Sequence, residues 1–183
     1  MAKDKYISIL RGINVSGQKK IIMSDLKILY EHLGFLNITT YIQSGNVVFE
    51  NTSKNIQDIK KAIETAIEKK YNFIVPVNVR RAEDYRTILN NLPFKNIDIE
   101  QEGTKILITF LSETPEESNI IKLQEHVIAP EKLILDNQVI YLHCPNGYGK
   151  TKLSNGFIEN KLKVTATTRN IKTVIKLCEL SGV

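Results

Sequence analysis

Residues 37–50 read NITTYIQSGNVVFE, and this stretch predicts more of the fold than any other. Two runs rich in β-branched and aromatic residues, 37–43 and 47–50, flank Ser44-Gly45-Asn46. Glycine and short polar side chains between two such runs are typical of the tight turn in a β-hairpin. The stretch therefore predicts a pair of antiparallel strands.

The segments around this hairpin extend it to a recurring pattern of strands and helices. A strand is predicted over 5–11, and apolar residues then recur at helical spacing after Ser24, a favourable N-cap. A second helix is predicted over 56–67, a strand over 73–79 and a further helix over 82–91. The resulting order, β-α-β-β-α-β with an additional helix, is that of a ferredoxin-like unit.

The same order recurs in the second half of the chain. Strands are predicted over 105–111, 133–135, 139–143 and 164–166, and helices are predicted to begin near Thr114, Ser154 and Asn170. The fold class expected is therefore α/β, of the α+β type, with two ferredoxin-like βαββαβ(α) units packed together. Unit one is predicted over 1–92, a polar linker over 93–103, and unit two, with a basic C-terminal segment, over 104–183.

Composition sets limits on the class of protein. The chain has 183 residues, of which 42% are hydrophobic and 25% charged, a balance typical of globular proteins. Two cysteines are too few for a disulfide scaffold and favour a reducing compartment. No signal-type apolar run follows the N-terminus, and no apolar stretch approaches the ~20 residues that span a membrane. We therefore expect a cytoplasmic protein with no membrane partner.

The net charge of +5 is concentrated near the C-terminus. Residues 144–183 contain seven basic and two acidic side chains, whereas residues 1–143 contain equal numbers of each. Such asymmetry is typical of a protein with an anionic partner, although a solvated helix face produces the same pattern.

The topology brings polar loops together at one end of each predicted sheet. In a ferredoxin-like unit the first and second strands are parallel, so the loop after strand one lies beside the turn between strands two and three. In the first half, the predicted ligand-binding residues at this end are Arg11, Asn14, Gln43, Ser44 and Asn46. In the second half, the loops after strands three and four share an end, and the predicted residues are Lys150, Lys152, Thr167, Arg169 and Asn170.

Each of these residues also has a structural interpretation. Arg11 is either an anion clamp or a partner in an ion pair, because its guanidinium presents a fixed fork of donors. Arg169 lies near a predicted helix start, where a cation opposes the helix dipole unless an anion is bound or an acidic residue pairs with it. Asn170 is well suited to be an N-cap, and the asparagines and serine near the first turn suit turn formation.

Four motifs at these loops resemble a bacterial family catalogued as domain of unknown function 1697. The residues that carry the resemblance are 10–15 (LRGINV), 40–49 (TYIQSGNVVF), 152–155 (KLSN) and 166–170 (ATTRN). Ser16-Gly17 stands where the family usually has two glycines, and Ile171 stands where it usually has tryptophan. The resemblance implies an α/β fold and places the site at these loops, and it implies no particular activity.

Known catalytic and metal-binding motifs are incomplete in this sequence. Residues 144–151 (CPNGYGKT) nearly match the phosphate-binding P-loop, but Cys144 replaces its first glycine. His143 and Cys144 are adjacent on a predicted strand, so they face opposite ways and cannot form a dyad. The three histidines lack metal-ligand spacing, so we predict no metal site. No nucleophile or general base stands out, and the sequence leaves both catalysis and any cofactor open.

The sequence supports three hypotheses of function. In the first, a small ligand bearing phosphate or carboxylate binds in a cleft between the two units, with the basic residues supplying charge. In the second, the basic C-terminal segment binds nucleic acid. In the third, the protein is an interaction domain whose polar loops are only structural. The sequence does not indicate the oligomeric state.

Overall fold

A computed structural model describes residues 3–53, 55–95 and 97–183. Its strands are β1 (Asp4–Leu10), β2 (Leu36–Tyr41), β3 (Asn46–Asn51), β4 (Val77–Arg81), β5 (Ile106–Leu111), β6 (Lys132–Asp136), β7 (Val139–His143) and β8 (Ala166–Asn170). Its helices are α1 (Met23–His32), α2 (Ile56–Tyr71), α3 (Ala82–Asn90), α4 (Ile99–Glu102), α5 (Glu117–Gln124), α6 (Asn155–Leu162) and α7 (Ile171–Ser181).

The strands form two four-stranded sheets of the same topology. Their orders are β2-β3-β1-β4 and β6-β7-β5-β8, and every neighbouring pair is antiparallel. Each sheet carries two helices inserted in the order β-α-β-β-α-β, which confirms the predicted pair of ferredoxin-like units.

The chain divides into two compact units whose bounds differ from the simple halves. Unit 1 contains Met1–Thr87 and Leu177–Val183, and unit 2 contains Ile88–Lys176. The predicted linker, 93–103, falls within unit 2, and part of it forms α4. The boundaries predicted from the sequence stay a prediction.

The core of unit 1 lies between its sheet and helices α1 and α2. Tyr6 and Leu10 of β1 and Phe49 of β3 face the helices and are fully buried. The rings of Phe35 and Phe49 stack with centroids 4.6 Å apart. Helix α2 contributes an apolar stripe at helical spacing, of which the buried members are Ile59, Ile63 and Ile67.

Unit 2 repeats this arrangement with smaller side chains. Leu107, Ile140 and Leu142 face α5 and α6 and pack against Leu123 and Ile158. On the other face of the sheet, Tyr141 is buried and its hydroxyl donates a hydrogen bond of 3.0 Å to the carbonyl of Ile88 in the same unit.

Several element boundaries differ from the sequence-based prediction. Strand β8 covers Ala166–Asn170, not 164–166, because pairing with β5 extends along these polar residues. The N-cap of α1 is Ile22, and Ser24 lies inside the helix. Helix α5 starts at Glu117, with Glu116 and not Thr114 as its N-cap. Pairing with β5 thus extends β8 beyond what its local sequence favours, and the capping signals at Ser24 and Thr114 do not mark the starts of their helices.

Candidate functional site

Three connecting segments meet at one end of the unit 1 sheet. We call them the loop end of unit 1: residues 11–22 after β1, residues 42–45 between β2 and β3, and residues 72–76 before β4. The Leu10 amide donates to the Gly45 carbonyl at 2.8 Å, and the Arg11 amide donates to the Pro76 carbonyl at 2.9 Å. The predicted meeting of the first loop with the hairpin turn is therefore confirmed.

Asn14 holds this loop end together through its side chain. Its Nδ2 donates to the carbonyl of Ile21 at 2.9 Å and to that of Gln43 at 2.7 Å. Its Oδ1 accepts from the Ile21 amide at 2.9 Å. These three bonds connect the start of the first loop with its end and with the hairpin turn. Asn14 thus serves as a structural cross-link, and a ligand contact from it stays a prediction.

The hairpin turn is fixed by the side chain of Asn46 and by the absence of one at Gly45. Asn46 is buried, and its Nδ2 donates to the Tyr41 carbonyl at 2.9 Å and to Ser44 Oγ at 3.0 Å. Gly45 has a φ of +75°, and an added Cβ there would lie 2.7 Å from Ile13 Cδ1. The SGN motif is therefore explained by backbone geometry and close packing.

Arg11, Gln43 and Ser44 are the other predicted residues at this end. Arg11 is half-buried at the end of β1, and Gln43 is exposed at the hairpin turn. Ser44, half-buried in the same turn, accepts from Asn46. A guanidinium, an amide and a hydroxyl at one loop end are able to bind a carboxylate or phosphate.

The backbone of this loop end is unusually rich in left-handed conformations. Eight of its residues have positive φ: Gly12, Asn14, Ser16, Gly17, Lys19, Ile42, Gly45 and Asn72. Five of the eight are not glycine, and for a β-branched residue such as Ile42 this conformation is a genuine outlier. Strained backbone of this kind persists where surrounding contacts determine it, and it clusters at functional sites.

The glycine-rich loop of unit 2 does not have P-loop geometry. Gly147 adopts a φ of +94°, and its amide donates to the Cys144 carbonyl at 2.8 Å. A single 3-10 turn follows over Tyr148–Lys150, and α6 begins only at Asn155. In a P-loop the helix starts directly at the Lys-Thr pair and its amides point at the phosphate. Lys150 and Lys152 are exposed on this loop.

Thr167, Arg169 and Asn170 lie in strand β8, and the prediction that they form a loop is wrong. Thr167 is buried, and the Arg169 Nη1 donates to the Thr168 carbonyl at 2.9 Å. Asn170 ends the strand and caps α7, because its Oδ1 accepts from the Thr173 amide at 2.9 Å. The strand ends of β7 and β8 do share one end of the sheet, as His143 and Asn170 oppose the neighbouring residues Ile106 and Leu107.

Two residues that the sequence did not single out as site residues connect the C-terminal motifs. The Thr168 hydroxyl donates to Asn155 Oδ1 at 2.8 Å, and Asn155 Nδ2 donates to the Ala166 carbonyl at 2.9 Å. Asn155 belongs to the KLSN motif and Thr168 to the ATTRN motif. The presence of both motifs in the sequence was the signal that could have identified this pair. In the structure, the two residues form a polar link between α6 and β8.

A histidine–carboxylate pair in unit 2 was also missed. His143 Nε2 lies 3.1 Å from Glu102 Oε2, and the His143 ring packs on Phe94 with centroids 5.6 Å apart. His143 Nδ1 is buried and has no hydrogen-bond partner within residues 3–53, 55–95 and 97–183. A general base must reach its substrate, so this enclosed ring fits a structural role better than catalysis.

The two thiols are poor nucleophiles. Cys144 and Cys178 are free and buried, and burial raises the pKa of each to about 11. A thiol reacts as its thiolate, so both are largely inert at neutral pH. Within the part of the chain that the structure describes, no group of three or more His, Cys, Asp or Glu residues is placed to hold a metal ion. Among the same residues, no helix combines the length and apolar character needed to cross a bilayer.

Ferredoxin-like sheets that recognise RNA stack its bases on exposed aromatic residues of their central strands. Tyr6 and Phe49, which occupy the comparable positions, are fully buried, and their rings stack on each other with centroids 5.8 Å apart. Neither ring is available to stack on a base.

Comparisons with known proteins agree with this fold and assign no activity. A search of curated proteins finds no significant match. The conserved bacterial protein SP0830 from Streptococcus pneumoniae, a solved structure, superposes with a TM-score of 0.76 at 26% identity, covering 98% of this chain and 99% of that one. The family described as "Protein of unknown function (DUF1697)" matches residues 3–141. The match includes the first two motifs of the loop end and excludes the C-terminal ones, and the chain belongs to the DUF1697 family.

Proposed function

We propose that this protein binds a small anionic ligand, bearing phosphate or carboxylate, at the loop end of unit 1. Arg11 supplies the fixed positive charge and the paired donors, and Gln43 and Ser44 supply neutral hydrogen bonds. Asn14 and Asn46 act indirectly, since their side-chain bonds hold the two loops in position.

The observation that carries the proposal is the combination of hydrogen-bonded loops of left-handed backbone with charge of one sign. Segments 11–22, 42–45 and 72–76 contain three basic residues, Arg11, Lys19 and Lys20, and no acidic residue. Five non-glycine residues there keep a left-handed backbone. Preformed loops lower the cost of ordering a site on binding, which is the usual advantage of such strain.

Unit 2 offers a second group of cations for the same class of ligand. Lys150 and Lys152 are exposed after β7, and Arg169 is half-buried at the end of β8. Thr167 is buried and Asn170 caps α7, so we expect the three cations to make the main contacts with the ligand. The two groups are best tested separately.

The test is a thermal-shift screen with inorganic phosphate, sugar phosphates, nucleotides and di- and tricarboxylates. A ligand at a hundred times its dissociation constant stabilises the folded state by about 2.7 kcal/mol. Arg11→Gln is expected to abolish the shift, whereas Arg86→Gln, on the exposed surface of α3, leaves it unchanged. The proposal fails if no anion stabilises the protein or if Arg11→Gln retains the full shift.

Parallel variants in unit 2 separate its role from that of unit 1. If Arg169→Gln and the pair Lys150→Gln and Lys152→Gln reduce the same shift, both groups of cations serve one ligand. If only Arg11→Gln does so, the site belongs to unit 1 alone.

Nucleic acid is the second candidate, favoured by the seven basic and two acidic residues over 144–183. Binding of this type is dominated by phosphate contacts and weakens steeply with salt. A salt-steep affinity for oligonucleotides that is independent of Arg11 would favour this candidate over the first.

A further inference from the structure

Four aliphatic side chains are exposed together at the loop end of unit 1. The exposed fractions are 59% for Val15, 53% for Ile22, 49% for Ile42 and 66% for Ile74. Val15 and Ile22 belong to the loop after β1, Ile42 to the hairpin turn and Ile74 to the segment before β4. Single exposed aliphatic residues are ordinary, but a group at one end of a unit indicates an interaction surface.

Hydrogen bonds connect the segments that carry these side chains. Lys19 Nζ donates to the Ile74 carbonyl at 2.8 Å, which fixes the first loop to the segment before β4. Asn14 joins Ile21, the neighbour of Ile22, to Gln43, the neighbour of Ile42. The four aliphatic positions therefore lie on hydrogen-bonded segments of the same loop end.

Ile42 is placed in this surface against its own backbone preference. Its φ is +49°, a conformation that glycine or asparagine adopts easily and a β-branched residue resists. About half of its side chain is in solvent, so burial offsets little of this strain. A strained and exposed isoleucine is most simply explained by a contact between its side chain and a binding partner.

The charged side chains within the three segments are all positive, and the Glu64 carboxylate next to them is held by the Val77 amide, which donates to its Oε1 at 2.8 Å. Lys19 and Lys20 are exposed, Arg11 is half-buried, and the three segments of the loop end contain no carboxylate side chain. The nearest acidic residue along the chain is Asp25 of α1, whose carbonyl accepts from Lys70 Nζ at 3.2 Å. The partner surface should therefore be anionic.

The size of the surface favours a lipid bilayer over a folded protein. Four half-exposed aliphatic side chains offer a few hundred Å², below the roughly 800 Å² that each partner buries in a standard protein interface. Binding to a bilayer has no such minimum, because apolar insertion and attraction to anionic lipid add up residue by residue.

We propose that the loop end of unit 1 docks on an anionic lipid bilayer. Val15, Ile22, Ile42 and Ile74 enter the interfacial region, while Lys19 and Lys20 contact lipid phosphates. This inference goes beyond the proposed binding of a small anion: it uses the same basic residues of the loop end, but it depends on the four aliphatic side chains and requires no soluble ligand. It departs from the sequence-based expectation of no membrane partner, which rested on the lack of a signal-type run and of a membrane-spanning segment.

Sedimentation of the full chain with vesicles tests the proposal. Vesicles of phosphatidylglycerol and phosphatidylcholine in equal parts should bind the protein, and vesicles of phosphatidylcholine alone should not. The double variant Val15→Ser and Ile74→Ser should weaken binding about tenfold or more. Lys20→Glu should weaken it at least about fivefold, and raised salt should weaken it further.

Matched controls keep the test specific. Ile121→Ser with Ile128→Ser removes two side chains of unit 2 that are 54% and 61% exposed, and it should leave vesicle binding unchanged. Circular dichroism and the melting temperature of each variant show that the fold is retained. Arg11→Gln tests the small-anion site and is expected to reduce vesicle binding no more than Lys20→Glu does.

Three results would overturn the proposal. The first is no binding to the anionic vesicles, and the second is binding that survives the Val15 and Ile74 substitutions. The third is a change in sedimentation coefficient on those substitutions without any vesicle binding, which would identify the surface as a contact between protein chains.

Discussion

The two units have the same scaffold at the end of their first strands and differ in the loops that begin there. In unit 1 the Leu10 amide donates to the carbonyl of Gly45 in the hairpin turn at 2.8 Å. In unit 2 the Leu111 amide donates to the carbonyl of Gln138 in the equivalent turn at 2.9 Å. The main-chain framework is therefore shared, and side chains and loop length must account for any difference in function.

The loops after these strands differ in length and in sign of charge. Residues 11–22 contain three basic residues and no acidic one, whereas the equivalent residues 112–116 contain Glu113 and Glu116 and no basic one. The longer loop also has five residues of positive φ, namely Gly12, Asn14, Ser16, Gly17 and Lys19. After its first strand, unit 1 therefore has a long basic loop where unit 2 has a short acidic one, although both units share one fold.

Gly45→Ala is expected to have the largest effect on this comparison. The new Cβ would lie 2.7 Å from Ile13 Cδ1 and 2.8 Å from Leu10 Cβ, on a backbone with a φ of +75°. Steric overlap and left-handed strain together should destabilise the protein by about 3 kcal/mol, measured by urea unfolding. Gly17→Ala, with a φ of +76° but open space around it, should cost only about 1 kcal/mol. Equal costs would contradict the role of close packing.

Asn14→Ala should have the second largest effect and lower the free energy of unfolding by about 2–3 kcal/mol. The substitution removes three side-chain hydrogen bonds and leaves part-buried backbone groups unpaired. Asn155→Ala in unit 2 provides the comparison, with two such bonds and an expected cost of about 2 kcal/mol. Asn160→Ala, on the exposed face of α6, is the control, and its unfolding midpoint should hardly change. A cost of Asn14→Ala no greater than the control would refute the cross-link.

The two hairpin turns offer a third comparison, with an effect of opposite sign. Ile42 has a φ of +49°, and Asn137 in the turn between β6 and β7 has a φ of +52°. Ile42→Gly should stabilise the protein by about 0.5–1 kcal/mol, because strain is released from a half-exposed side chain. Asn137→Gly should be nearly neutral, since asparagine tolerates this conformation. Destabilisation by Ile42→Gly would mean that its side chain contributes to folding.

Alkaline pH should lower the stability of both units in the same way, because each unit contains one buried thiol, and the loss should be gradual. Burial raises the pKa of Cys178 in unit 1 and of Cys144 in unit 2 to about 11 each. Above about pH 9 the unfolded chain loses thiol protons that the folded chain retains, so stability falls as pH rises from about 9 to 11. Urea midpoints measured across this range should decline less steeply in the Cys144→Ala, Cys178→Ala double variant. An unchanged slope would assign the decline to other groups.

Much of the fold could be predicted because burial imposes periodic patterns that can be read locally. The alternation in β1 and the helical spacing of Ile59, Ile63 and Ile67 follow from packing against one core. Strand β8 was predicted too short because its residues, Thr167 to Asn170, are polar and run directly into a helix. Only pairing with β5, nearly sixty residues earlier, extends the strand.

The candidate site was less accessible to sequence reasoning, because its geometry depends on residues far apart in the chain. Asn14 was correctly placed beside the hairpin turn, but its bonds to Ile21 and Gln43 could not be inferred from local sequence. The aliphatic surface was missed for the same reason. Val15, Ile42 and Ile74 each resemble core residues when read singly, and only the folded chain brings them to one exposed end.

The last strand of unit 2 has a practical consequence for expressing parts of this protein. The family match ends at residue 141, in the middle of β7, and therefore before α6 and β8. A gene fragment trimmed to the matched residues would leave β5 without the partner that pairs with it from Leu107 to Leu111. It would also remove Ile158 and Leu162 from the core and the Lys5–Ser181 hydrogen bond from unit 1. Such a fragment should aggregate through its uncovered edge, so expression plasmids need to encode the chain through Val183.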